Sequence, residues 1–264
     1  MAGPLTGHTN TYHTYGFEEA LAGIAGAGFS AVELSSVMGW TEHVSLDESA
    51  AAVRRKVEDH GLEAVALSAH SDLTSNDGLA YGLRAVEWAN DYGLRLVTSA
   101  IGGHASQTES ERAFLDRIPK LAKVAEDAGV IVALEIHGDL MATGRQTAGL
   151  FEQIASDAIR VKYDVANCEF YGATKAVDDM HHVLPLIANM DLKDKAGPQD
   201  QWNFPAPGSA TVDFPRILEI LDEGGYTGPM AVEIEFTGEP WPPLGEVNAA
   251  MRSSYDYLSG LGLR

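Results

Sequence analysis

Along the chain a short apolar run is followed, again and again, by a stretch with helical periodicity, at a spacing of roughly 30 residues. The runs are Leu5-Thr6-Gly7-His8-Thr9-Asn10, Ser30–Leu34, Glu63–Ser68, Arg95–Ser99, Val130–Asp139, Ile159–Asp164, Ile187–Leu192 and Met230–Ile234. Strands that alternate with helices require right-handed crossovers and a parallel sheet. Eight such units close most naturally into a barrel, which takes about 250 residues, so the chain is expected to be one (β/α)8 TIM barrel spanning 1–264. A doubly wound open sheet is the competing architecture. Its dinucleotide-binding form is disfavoured because no Gly-x-Gly-x-x-Gly follows the first strand.

The fifth run carries the first chemical signal. Val130-Ile131-Val132-Ala133-Leu134-Glu135-Ile136-His137 reads as a buried strand ending in two ionisable groups, and side chains two apart share a face. Other strands end in the same way. Glu33, His70, Asp164, Asp191 and Glu233 also fall at predicted strand ends, the rim where a barrel assembles its active site. Glu135, Asp164, Asp191 and Glu233 form a set on strands five to eight. Four carboxylates facing one barrel mouth would repel one another unless a cation neutralised them. Oxygen ligands favour a hard or borderline divalent ion, Mn²⁺ foremost, with Mg²⁺ and Co²⁺ as alternatives.

Charge narrows the partners. With 38 acidic against 18 basic residues and a net charge of −20, the chain is ill suited to phosphate backbones, which are bound through Lys and Arg. No run approaches the roughly 20 apolar residues of a membrane span, and residues 1–8 lack the basic and apolar segments of a signal peptide. The single cysteine, Cys168, reads as a small buried hydrophobe and fits a reducing, cytoplasmic location.

In these motifs the chain resembles the xylose isomerase-like TIM-barrel superfamily of sugar (phosphate) isomerases and epimerases, over essentially its whole length. The resemblance rests on Ala133-Leu134-Glu135-Ile136-His137, Lys162-Tyr163-Asp164-Val165-Ala166-Asn167, Asp191-Leu192-Lys193-Asp194, and the segment from Val212-Asp213-Phe214 to Glu233. It implies a metal held by Glu, Asp, His and Glu, of which Glu135, Asp164 and Glu233 match the first, second and fourth. The third normally opens a His-x-Lys-Asp motif. Here Asp191 takes that place, which makes the expected site all-carboxylate, as in true xylose isomerases. His137 is similar to a substrate-facing histidine of the family, with a hydrogen bond to Glu135 as its plainer role.

The expected activity is that of a divalent-metal-dependent isomerase or epimerase acting on a keto sugar through a metal-stabilised enediolate, with Glu135 and Glu233 exchanging the proton. The alternative is a keto-sugar lyase or dehydratase on the same site, inosose dehydratase-like or deglycosylating, with His137 as proton donor. His70, Lys193 and Glu33 are candidates for touching substrate, against loop capping for His70 and pairing with acids for Lys193. Glu235 shares the face of Glu233 and is expected on the solvated rim. Trp40, Trp202 and Trp241 fall on loops at the mouth, where they either stack on sugar rings or simply pack. No Lys/Arg cluster marks the strand ends, which points to an unphosphorylated sugar. A homo-oligomer is compatible with the sequence.

Overall fold

The structure is a computed structural model that describes residues 3–102, 107–238 and 240–264. The first two residues of the stretch read for a signal peptide lie outside these. Eight parallel strands close into a barrel in sequence order: β1 (Leu5–His8), β2 (Ala31–Ser35), β3 (Glu63–Ser68), β4 (Leu96–Ser99), β5 (Ile131–Glu135), β6 (Ile159–Asp164), β7 (Ile187–Leu192) and β8 (Met230–Val232). The seam pairs Leu5 with Met230 and Gly7 with Val232. The expected barrel is therefore observed, and the open sheet is not.

Helices α1 (Phe17–Ala27), α2 (Ala50–Asp59), α3 (Asn76–Tyr92), α4 (Gln107–Ala128), α5 (Gly144–Phe151), α6 (Asn167–Gly172), α7 (Ala176–Asp179), α8 (Phe214–Glu223) and α9 (Leu244–Gly260) surround it. Short polar side chains start several of them. Ser75 accepts from the Gly78 N–H and Asp213 from the Arg216 N–H, each satisfying a donor of the first turn. Gly28 and Gly93 end α1 and α3 in the left-handed conformation that glycine adopts without steric penalty. Before β7 the chain forms the single turn α7 followed by two 3-10 turns, the second with Pro185 in its first turn, where its missing N–H is not needed. Among the described residues no helix is long and apolar enough to cross a membrane.

Strand alternation divides the side chains between two environments. Leu34, Val132, Leu134, Val161, Tyr163, Met190 and Leu192 join Ile24, Val53, Phe114 and Leu121 in one apolar core. Inside the barrel, a small apolar cluster of Ala66, Leu96 and Ala133 lies apart from that core. The remaining inward positions carry buried polar and charged groups, including Thr6, His8, Glu33, Thr98, Lys162, Asn189 and Asp191. Register irregularities fall between Val32 and Glu33 and between Val161 and Lys162. Such bulges re-aim side chains, and both lie beside members of the buried ion pair described next.

Candidate active site

The barrel floor is built on Lys162. Its Nζ lies 2.9 Å from Glu33 Oε1 and 2.9 Å from Asp191 Oδ2. Glu33 also accepts from Thr98 Oγ1 at 2.8 Å and from Asn189 Nδ2 at 2.9 Å. Burial works against the Glu33 carboxylate, but Lys162, His8 and these donors more than compensate and hold its pKa below the usual range. Glu33, expected to meet substrate, is thus fully buried and saturated beneath the site, and it is not part of the cavity wall.

Above the floor, Glu135, Asp164 and Asp191 converge. One carboxylate oxygen from each lies within 4.8 Å of the others. The backbone dictates this meeting, since Asp164 and Asp191 are register partners in β6 and β7 while Glu135 ends β5 opposite Lys162. Asp164 Oδ1 accepts the N–H groups of Ala166 and Asn167, at 2.8 and 2.9 Å, and Asn167 Nδ2 in turn donates to Glu135 Oε1 at 2.9 Å. Asp164 Oδ2 and both Asp191 oxygens are buried and receive no aligned hydrogen bond. Burial, with neighbouring carboxylates, raises Asp164 to about 6 and Asp191 well above its usual value. Crowded, under-satisfied oxygen donors of this kind suit a divalent cation, so the residues present fit one. A second triad, His8, Glu33 and Asp191, meets the same distance limit, but both oxygens of its Glu33 are already bonded to Lys162, Thr98 and Asn189.

A cavity of about 420 Å³ opens over these groups at the C-terminal ends of the strands, walled by Glu135, Glu233, His137, His70, Lys193 and Glu235 among others. Glu233 is not in the triad. Its Oε1 accepts from Asn10 Nδ2 at 2.9 Å and its Oε2 meets Lys193 Nζ at 2.5 Å. Burial pushes Glu233 up, yet Lys193 and His8 outweigh it and bring its pKa to about 2. His70 Nε2 stands 3.0 Å from Glu135 Oε2 and helps to hold that carboxyl well below its usual range against the effect of burial. His137 lies past the end of β5 rather than on the strand, with the Tyr171 hydroxyl 3.0 Å from its Nε2. Burial lowers its pKa to about 4, so the ring is neutral at pH 7.

Glu235 corrects one expectation. It is only 7% exposed rather than solvated, because β8 is followed by a bridge to Phe204 and the side chain turns onto Lys193 Nζ at 2.9 Å. Burial raises its pKa to about 7, with Lys193 opposing and Glu233 adding to the effect. Trp40 and Trp202 line the mouth, whereas Trp241 is packed with its indole N–H on the Thr11 carbonyl. Cys168 is buried, as expected of a small hydrophobe.

Residues 21–257 match the family described as xylose isomerase-like TIM barrel. The chain belongs to that family. The L-ribulose-5-phosphate 3-epimerase UlaE of Escherichia coli K12 is 25% identical over 227 residues, covering 78% of each chain. A solved L-ribulose 3-epimerase superposes with a TM-score of 0.78 at 21% identity, covering all of this chain and 95% of that one. A xylose isomerase domain protein from Planctomyces limnophilus gives 0.79 at 17%, covering 98% and 96%.

Several residues of this xylose isomerase-like site carried no signal strong enough to single them out in the sequence. Asn10 and Asn167 hold Glu233 and Glu135, but asparagine in a loop more often marks a turn. His8 is legible only in three dimensions. Its Nδ1 accepts the Asn10 N–H at 3.0 Å, which leaves the proton on Nε2, 3.5 Å from Glu33 Oε1. Burial lowers the His8 pKa from 6.5 to about 4. The unfolded chain therefore binds a proton that the folded chain refuses. The stabilising contribution is complete above about pH 6.5 and is lost as the pH falls toward 4, by up to about 3 kcal/mol. Urea denaturation of wild type and His8→Asn between pH 4 and 7 should show the wild type losing more stability over that window. Parallel curves would refute the assignment.

Proposed function

We propose that the protein is a divalent-metal-dependent epimerase or isomerase of unphosphorylated keto sugars. One observation carries the proposal: one carboxylate oxygen each from Glu135, Asp164 and Asp191 lie within 4.8 Å of one another, and Glu135 shares the cavity wall with Glu233. A divalent cation held by those three carboxylates would polarise the sugar ketone and acidify the neighbouring C–H, and Mn²⁺ is the expected ion. Sugar 3-epimerases among the relatives support the same reaction class.

The protein's own groups account for the proton movements. Glu233, anionic and aimed by Asn10, takes the proton from the carbon beside the ketone. Glu135, braced by Asn167, then takes a proton from the adjoining His70 imidazole and delivers it to the other face. The proton held by Glu233 passes to solvent, from which His70 is replenished. Trp40, Trp202 and Tyr171 offer aromatic surface for the C–H face of a sugar. Among the described cavity-lining residues Lys193 is the sole Lys or Arg, and its ammonium is spent on carboxylates. That favours a sugar without phosphate.

The His137–Tyr171 pair supports a second reading, β-elimination on the same site, because it offers a proton donor for a leaving group. One experiment separates the two. L-ribulose and D-allulose are incubated with Mn²⁺-loaded protein in D₂O, with and without chelator. Epimers carrying one deuterium next to the ketone, lost on chelation, are expected. A dehydrated product would move the assignment to the lyase, and turnover indifferent to chelation would sink the metal reading.

A further inference from the structure

Six buried carboxylates, Glu33, Glu135, Asp164, Asp191, Glu233 and Glu235, face two buried ammonium groups, Lys162 and Lys193. The two lysines are held differently. Lys162 joins residues of the floor, Glu33 and Asp191. Lys193 Nζ spans the floor and the wall, with Asp164 Oδ2 at 2.9 Å, Glu233 Oε2 at 2.5 Å and Glu235 Oε2 at 2.9 Å. It therefore sits on one oxygen of the proposed cation triad and on the carboxylate that family resemblance makes the fourth ligand. Phe204 backs it, with the ring centroid 5.1 Å from Nζ.

We infer that Lys193 is a built-in counter-cation that a divalent metal displaces from Asp164 and Glu233. The inference rests on the cation site proposed above. Two positive charges cannot share Asp164 Oδ2 at ligand distance without strong repulsion. The arriving ion must push the ammonium off, and the geometry provides where it goes. Glu235 already accepts a hydrogen bond from Nζ, and the Phe204 face is within cation–π range. The flexible four-carbon stem lets the head group move while Lys193 stays anchored just past β7. Without metal, Lys193 keeps the acids from repelling one another. With metal, its ammonium is freed from Glu233, the group assigned to proton removal, and stays paired with Glu235 at the cavity wall.

The test measures Mn²⁺ binding by titration calorimetry and by the loss of free-ion electron paramagnetic resonance signal, and it follows melting temperature with and without Mn²⁺. Lys193→Met should bind Mn²⁺ at least tenfold more tightly than wild type, melt lower than wild type without metal, and recover most of that loss at saturating Mn²⁺. Lys193→Gln, which keeps a neutral donor, serves if the Met variant does not fold. In wild type, lysine-selective ¹⁵N NMR should show protected Nζ resonances from the buried Lys162, Lys193 and Lys195, and the one missing from Lys193→Gln should move on adding Mg²⁺. Unchanged or weaker Mn²⁺ affinity in the variants, or a Lys193 Nζ signal indifferent to Mg²⁺ at saturation, would overturn the displacement while leaving the cation site intact. Failure of wild type and variants alike to bind Mn²⁺ would overturn the site itself.

Discussion

Glu233→Gln is expected to abolish deuterium incorporation from solvent into substrate and to lower kcat by about 10²–10⁴-fold, the usual worth of a positioned proton-transfer group. The substitution is nearly isosteric. The Gln carbonyl can still accept from Asn10 Nδ2, so the backbone of the loop after β1 has no reason to move. What is lost is a charged oxygen able to take a proton, held ionised chiefly by Lys193 despite its burial. The new amide also points N–H groups at the Lys193 ammonium, a modest repulsion that the melting temperature will report. The decisive measurement is ¹H NMR of recovered ketose after incubation in D₂O. A variant that folds and still exchanges the proton beside the ketone would show that Glu233 is not the base.

The second large effect concerns the floor. Lys162→Met should cost about 3–5 kcal/mol of unfolding free energy, because removing one partner of a buried ion pair strands the other. Glu33 would keep Thr98 and Asn189 as donors, and His8 near its Oε1. Asp191 would fare worse, since Lys162 is the cation at ion-pair distance from it and neither of its oxygens has an aligned hydrogen bond. Adding Glu33→Gln to Lys162→Met should recover part of the loss, because one of the two stranded charges then disappears. Urea denaturation of wild type, single and double variants gives the coupling directly. A cost below 1 kcal/mol for Lys162→Met would mean that the floor does not depend on this charge balance.

The contrast between these two lysines shows what could be read before folding and what could not. Strand ends were legible because period-two alternation and abrupt carboxylates are local signals. β6 and β7 run over the residues expected, and Asp164 and Asp191 close them side by side. Partner choice was not legible, because Lys162 meets Glu33 across 129 positions of sequence and only barrel closure brings them together. Glu33 looked like a substrate contact for the same reason. In sequence it is one more acid at a strand end, whereas in space it lies one layer too deep. Glu235 also lies deeper than its sequence position suggests. A residue past the last strand is ordinarily solvated, but the Phe204 bridge and the Lys193 ammonium draw it inward. Asp191 in place of the family histidine was visible at once, yet its pairing with Lys162 emerges only from the fold.

The seam between β1 and β8 carries a consequence for how the protein is made. Asn10 and Glu233, which hold one another across it, stand 223 positions apart. Closing so long a loop is entropically costly and kinetically late. As the chain leaves the ribosome, Glu135, Asp164 and Asp191 are therefore synthesised well before the strand that completes their enclosure, and until then they remain open to water, where their mutual repulsion is screened. The triad strands β5 to β7 precede β8 in the chain, so the cavity is expected to close only when β8 joins β1 and β7. A chain arrested before β8 should be an open, hydrated sheet without a cavity, and binding at this pocket can serve as a clock for the last event of folding.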